Sequence, residues 1–264
     1  MDKNLPQHYF SRLCRGIIEF DMINKGDKIL IGLSGGKDSL FLTYALSILR
    51  KRSKTPFEIE VLTIDPMFTP DFDVSPLASF CKDLDVPFHT KKVDISGIIN
   101  KNNGDDPCFT CAFFRRGAIN KFATENGFNK VAYAHHHDDA VETFLMSILY
   151  SGQINTFLPT TYLDQSNLTV IRPLVYFREA ELIETPKFHG FTPIPSPCPL
   201  NGHTKRQEAK DMIRDLGKNN PLLYGHLGAA MRHSPVSKLW PTELTREELQ
   251  IKHLKFWNKK FRNI

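Results

Sequence analysis

Six consecutive residues, Ser34-Gly35-Gly36-Lys37-Asp38-Ser39, combine hydroxyl, ammonium and carboxylate groups with two adjacent glycines. They follow Ile29-Leu30-Ile31-Gly32-Leu33, a short apolar run of the kind buried on both faces of a sheet, and they precede a periodic segment that reads as a helix. Glycines in a strand-to-helix turn let backbone N–H groups approach an anion closely, and the helix N-terminus adds the positive end of its dipole. The chemistry is phosphate binding, with Ser34, Lys37 and Ser39 as side-chain donors. A Walker-type loop is excluded, because it needs a glycine where Ile31 stands and a Ser or Thr where Asp38 stands. A carboxylate inside a phosphate cradle is repelled unless something compensates. Asp38 therefore reads as a holder of Mg²⁺, with helix capping as its other role.

Cys108-Phe109-Thr110-Cys111 follows Asp105-Asp106-Pro107 and precedes a helix expected to begin near Phe113. Two thiols three positions apart at a helix start can share one metal or cluster, or form a redox dithiol. The next candidate ligand is Cys198, set between prolines in Pro195-Ser196-Pro197-Cys198-Pro199. Three thiols leave one coordination position open, and a zinc site completed by His203 is the competing arrangement. Cys14 and Cys81 fall on apolar helix faces and read as core thiols. His135-His136-His137-Asp138-Asp139 stands where the strand-like Val131-Ala132-Tyr133-Ala134 turns into another helix, at the same sheet edge as the phosphate loop. Asp138 or Asp139 could simply cap that helix. Arg115 and Arg116 follow the thiols at an expected helix start, where the dipole disfavours cations, and a phosphate of ATP or RNA would explain them.

The loop Ser34 to Ser39 resembles the PP-loop of the ATP-pyrophosphatase superfamily, whose members hold the pyrophosphate of ATP and react at its α-phosphorus. Further stretches resemble the tRNA 2-thiocytidine synthetase family over most of the chain. They are Asp21-Met22-Ile23-Asn24-Lys25-Gly26-Asp27-Lys28, Cys108 to Cys111 with Arg115-Arg116-Gly117, His135 to Asp139 with Glu142-Thr143, and Ile171-Arg172-Pro173-Leu174. That family usually has two close cysteines near its third sulfur ligand, whereas this chain has Cys198 alone there. The resemblance implies ATP binding by Ser34, Gly35, Gly36, Lys37, Asp38, Ser39, Ile64, Ala134, His135 and Asp139, with Lys37, Asp38 and Asp138 as catalytic groups. It also implies a 4Fe-4S cluster on Cys108, Cys111 and Cys198, tRNA as substrate, a sulfur donor such as a cysteine desulfurase, and a homodimer. In the implied reaction a cytidine carbonyl oxygen is adenylated by ATP and then replaced by sulfur. Two alternatives are lysine addition to tRNA, as in lysidine synthetases, and a nucleotide- and zinc-binding module without thiolation activity.

The elements that must position these groups are legible as alternation. Strand-like runs at Lys28 to Leu33, Phe57 to Ile64, His89 to Val93 and Lys130 to Ala134 are separated by helix-like runs at Ser39 to Lys51, Ser75 to Leu84 and Arg115 to Asn126. This predicts an α/β fold with an open, mostly parallel sheet covered by helices on both faces, of the adenine nucleotide alpha hydrolase-like kind, with short helical extensions at both ends. A helix is expected before the sheet at His8 to Asn24, and others at Asp138 to Tyr150 and Lys205 to Leu216. Residues 154–177 read as a hairpin-like or extended excursion. The expected division is an N-terminal helix over 1–25, a PP-loop domain over 26–217 and a basic extension over 218–264. Lys252, Lys255, Lys259, Lys260 and Arg262 alternate there with Phe256, Trp257 and Phe261, as an RNA-binding tail or an amphipathic helix packed on the domain. The 264 residues are 41% hydrophobic, enough for a sizeable core, and the formal net charge is +5. No run is long and apolar enough to span a bilayer, and five cysteines without a secretory signal argue against a disulfide framework. A cytoplasmic protein without membrane association is the expectation.

Overall fold

Ile29, Leu30 and Ile31 are fully buried in strand β1 (Lys28–Gly32), the first strand of a six-stranded sheet. The computed structural model describes residues 4–69, 72–101, 107–195, 198, 205–232 and 244–256. The other strands are β2 (Glu58–Asp65), β3 (Phe88–Lys92), β4 (Lys130–Ala132), β5 (Thr160–Leu163) and β6 (Leu168–Ile171), in the order β3-β2-β1-β4-β6-β5. All pairings are parallel except β5 with β6, a hairpin within residues 154–177, where a hairpin-like or an extended course was expected. The chain runs outward from β1 through β2 to β3 and then crosses to β4 on the other side of β1. The crevice between the ends of β1 and β4 is therefore the switch point where open parallel sheets bind ligands.

The residues of β1 alternate between two cores. Ile29 and Ile31 join the larger one, with Ile59 and Val61 of β2, while Leu30 joins Leu62 and Val131 in the smaller. Helices α1 (Gln7–Glu19), α2 (Lys37–Arg52), α3 (Ser75–Leu84), α7 (Glu179–Ile183) and α8 (Pro186–His189) contribute to the larger core, and α5 (Pro107–Glu125) covers the smaller. Every residue of α2 from Ser39 to Leu49 is buried, as in a helix enclosed on all sides. Its two interior hydroxyls bond back to the helix, Thr43 Oγ1 to Ser39 O at 2.9 Å and Ser47 Oγ to Tyr44 O at 2.7 Å. The remaining helices are α4 (Ile95–Lys101), α6 (His137–Ser151), α9 (Lys205–Gly217), α10 (Leu223–Arg232) and α11 (Arg246–Phe256).

Several boundaries differ from expectation. The first helix ends at Glu19, not Asn24, because Asp21 takes φ 48° and Met22 N–H bonds back to Ile17 O at 2.9 Å. The helix expected from Phe113 begins at Pro107, a residue suited to the first helical position because its missing N–H would have had no partner there. Cys108 and Cys111 consequently lie inside the first turns of α5, and Arg115 and Arg116 about two turns in, where the dipole no longer opposes them. Helices α4, α7, α8 and α10 have no counterpart in the sequence reading. The chain divides into compact units Met1–Met231 and Arg232–Ile264, and α1 shares the main core through Leu13 and Ile17. In the second unit no side chain from 244 to 253 is buried, and Trp257, Lys259, Lys260, Phe261 and Arg262 lie outside the described residues.

The polar segment Asn24 to Lys28 anchors the sheet. Lys130 Nζ, almost fully buried, sits 2.7 Å from Asp27 and donates to Met22 O at 2.8 Å, while Asp27 also accepts from Asn24 N–H at 2.6 Å and Asn129 at 2.8 Å. Such a saturated carboxylate holds the entry to β1 against β4, at the sheet edge away from the switch point.

Candidate active site

At the end of β1 the chain turns sharply. Gly35 takes φ +83°, and a Cβ there would meet Ile194 at 3.4 Å, while Ile194 N–H bonds to Gly35 O at 2.9 Å. The segment after α8 thus rests on the loop. Ser34 and Ser39 brace the turn from within, with their hydroxyls 3.1 Å apart and Ser39 Oγ donating to Gly36 O at 3.0 Å. Thr63 Oγ1 of β2 holds Leu33 O at 2.9 Å. Gly36 is the N-cap of α2, and no side chain among the described residues caps it, so the first-turn N–H groups remain for an anion. Lys37 Nζ lies between two carboxylates, 3.1 Å from Asp38 and 3.6 Å from Glu179. Asp38 Oδ1 is sealed from solvent with no hydrogen-bond partner among the described residues, and this burial raises the Asp38 pKa against the pull of Lys37 and His136.

The second turn at this edge is the start of α6. Its N-cap is His136 rather than Asp138 or Asp139: the imidazole accepts from Asp139 N–H at 3.4 Å, and Asp139 accepts from His136 N–H at 2.9 Å. Asp138 is directed at α7, taking Arg178 Nε at 3.0 Å and Glu179 N–H at 2.9 Å. Glu179 in turn lies 2.5 Å from Lys210 of α9, and burial, which would raise its pKa, is outweighed by Lys210 and Lys37. Arg206 of α9 reaches Asp139 at 3.3 Å and Glu142 at 3.2 Å. A chain of alternating charges thus links Lys37 of the loop to α7 and α9.

A cavity of about 520 Å³ opens beside the loop. Ser34, Ile64 and His135 line it, as do Arg115 and Arg116, and so do all three expected ligands Cys108, Cys111 and Cys198. Ala134 instead packs against the main core. Burial raises the Cys111 pKa, Arg115 opposes the rise, and the nearby Cys198 and Cys108 add to it. Among the described residues no three His, Cys, Asp or Glu side chains stand close enough to hold a metal as they are, so the thiols share a wall rather than form a closed ligand set. His203 lies outside the described residues. Cys81 is buried among apolar groups with its pKa raised to about 12, and burial raises that of Cys14 as well, as core thiols should behave.

A family model described as PP-loop domain matches residues 8–195. The curated relative tRNA-cytidine(32) 2-sulfurtransferase of Coxiella burnetii (strain Dugway 5J108-111) is 33% identical over 248 residues, covering 92% of this chain and 96% of the relative. The protein of the same name from Bdellovibrio bacteriovorus is 34% identical over 235 residues, covering 88% and 90%. The chain belongs to the tRNA-cytidine(32) 2-sulfurtransferase family of PP-loop proteins. A solved U34-tRNA thiolase from Methanococcus maripaludis with its 4Fe-4S cluster superposes at TM-score 0.70 with 20% identity, covering 90% of this chain and 80% of that one. An NH3-dependent NAD synthetase from Campylobacter jejuni superposes at 0.50 with 14% identity, covering 93% and 100%. At such identities the likeness establishes the shared PP-loop fold.

Within this PP-loop frame, the sequence reading assigned no role to Gly32, Tyr133, Glu179, Arg206 or Lys210, and it quoted Arg172 only within Ile171-Arg172-Pro173-Leu174. Tyr133 lines the cavity, its hydroxyl and His135 Nδ1 are sealed with no partner among the described residues, and burial pushes Tyr133 up to about 12 and His135 down to about 4. Gly32 is where β1 admits the Tyr133 ring, since a Cβ there would stand 3.1 Å from it. Arg172 donates to Leu158 O at 2.6 Å but pairs with no carboxylate among the described residues, and burial lowers its pKa to about 10. Glu179, Arg206 and Lys210 are recruited from far along the chain, with no local pattern to betray them.

Proposed function

We propose that this protein is an ATP-dependent tRNA-cytidine 2-sulfurtransferase. The observation that carries the reading is that Ser34 of the phosphate loop and the thiols of Cys108, Cys111 and Cys198 line one cavity. Three soft donors beside a nucleotide loop suit sulfur transfer, whereas amine addition by a lysidine-type enzyme has no use for them.

In this reading the pyrophosphate of ATP rests on the first-turn N–H groups of α2, with Ser34, Gly35, Gly36 and Ser39 around it and Ile64, Ala134, His135 and Asp139 completing the nucleotide site. Asp38 would hold Mg²⁺ through the buried Oδ1 that lacks a partner among the described residues. The cytidine oxygen attacks the α-phosphorus, and Lys37 with the loop N–H groups stabilises charge on the departing pyrophosphate. A sulfur nucleophile then adds at the same base carbon, and AMP leaves with the former carbonyl oxygen. Cys108, Cys111 and Cys198 would hold a 4Fe-4S cluster, which when bound supplies an iron able to carry sulfur. Asp138 would be the further acidic group of the reaction, and by accepting from Glu179 N–H it also helps to place Glu179 beside Lys37. Arg115 and Arg116 face RNA or nucleotide phosphate. The sulfur would come from a donor such as a cysteine desulfurase, and the enzyme would act as a cytoplasmic homodimer. Among the described residues no helix is long and apolar enough to cross a membrane.

Anaerobically purified protein should absorb broadly near about 400 nm and, with ATP and sulfide, add one 2-thiocytidine to tRNA lacking it, read by mass spectrometry of nucleosides. Stoichiometric zinc with unchanged tRNA would sink the reading.

A further inference from the structure

Helix α5 presents more than thiols. Phe109 and Phe113, one turn apart, are 61% and 57% exposed, and their rings stack at 6.2 Å with 23° between planes. Phe114 meets Phe113 edge-on at 5.4 Å and fixes its ring. The buried residues of the helix are Thr110, Ile119 and Ala123. Each exposed ring stands one position after a cavity-lining residue, Cys108 or Ala112. Arg116, three positions after Phe113 and seven after Phe109, falls on the same stripe and itself lines the cavity. Its Nε donates to Ala112 O at 3.2 Å, and no carboxylate among the described residues pairs with Arg115 or Arg116. Gly117, next along the helix, has open space around it.

We infer that Phe109, Phe113 and Arg116 form a stacking platform for unpaired bases of the RNA loop that delivers the target cytidine to the cavity. The inference rests on the thiolation reading and adds how the substrate is gripped. A base that enters the cavity must leave its stack, and its neighbours then lose a stacking partner. Aromatic faces replace that partner for any base, and an adjacent guanidinium meets the flanking phosphate. Two rings bounded by arginines are too small an apolar patch for a stable protein partner but match a single strand in both size and charge.

The test compares the full-length wild type with a Phe109→Leu/Phe113→Leu double variant and a Phe109→Tyr/Phe113→Tyr double variant. Leucine keeps the apolar bulk without the π face, and tyrosine restores that face. The readouts are KM for tRNA and for ATP in thiolation, and the fluorescence of an anticodon stem-loop carrying 2-aminopurine beside the target cytidine. The Leu variant should raise KM for tRNA about tenfold and lose the quench on binding, KM for ATP should follow the wild type, and the Tyr variant should recover both readouts. A Leu variant that quenches and thiolates like the wild type overturns the platform alone, as does equal loss in the Leu and Tyr variants. A wild type that neither binds the stem-loop nor thiolates tRNA overturns the thiolation reading and the platform together.

Discussion

Asp38 is held where a carboxylate is costly. One oxygen pairs with Lys37 and the other is buried without a partner among the described residues, so the fold bears a strain that a bound cation would relieve. Asp38→Asn should therefore abolish thiolation yet raise Tm in the absence of ligand by about 2–4 °C, for a gain on the order of 1 kcal/mol. A lower Tm in thermal denaturation would assign Asp38 to structure. Gly35→Ala should act in the opposite sense on stability, since φ +83° strains any L side chain by about 1–2 kcal/mol and the added methyl presses on Ile194. Melting would show the loss, and ATP binding should weaken with it. At this scale the sequence was informative wherever function is local: Ser34 to Ser39 announce an anion site because neighbouring residues build it. Tyr133 and Arg206 gave no signal, because what makes them matter is a sealed hydroxyl and contacts more than 60 residues away.

Charge helps to fasten helix α9, whose Ala209 and Ile213 are also buried, to α6. Arg206 faces Asp139, Glu142 and the Thr143 hydroxyl, and Glu142 is only 4% exposed. Burial and Asp139 raise the Glu142 pKa, and Arg206 opposes that rise. Arg206→Met removes most of that opposition, leaving Lys210, and deprives the buried carboxylate of its main counter-charge. The cost should be on the order of 2 kcal/mol at neutral pH, below that of a fully buried pair because Arg206 is 42% exposed. An acid whose folded pKa is raised withholds stability as pH rises through that value and returns it as pH falls. The deficit of the variant should accordingly shrink from about pH 8 towards about pH 5, read from paired melting curves. A deficit independent of pH would point to lost packing instead. Elements were legible in the sequence where periodicity is long, as in α2, α6 and α9. They were missed where a few residues are held by tertiary contact, as in α7, whose N-terminus is fixed by Asp138. The start of α5 was misplaced because Pro107 and the cysteines read as loop chemistry rather than as a first helical turn.

Across the whole molecule, charge and nucleotide chemistry are segregated. The cavity, the phosphate loop and the carboxylate network all belong to the unit Met1–Met231. In the sequence, the eight Lys and Arg and the three Asp and Glu of residues 232–264 account for the entire formal charge of +5, so the first 231 residues carry no net charge. Nothing in the bulk charge of the catalytic unit draws it towards a polyanion, and a basic C-terminal segment supplies that attraction to the chain as a whole. Replacing Lys252, Lys255, Lys259 and Lys260 with Gln in the full chain should leave the Tm gain on saturation with Mg²⁺–ATP as it is in the wild type, of order 5 °C or more at about 100 times Kd. The same variant should bind tRNA more weakly at low salt, with the slope of log K against log salt reduced by about 0.7–0.9 for each lysine that neutralises a phosphate. Filter binding at several salt concentrations decides the matter. An unchanged slope would mean that the tail serves the protein and not the RNA, and the attraction would then have to come from local groups such as Arg115 and Arg116 alone.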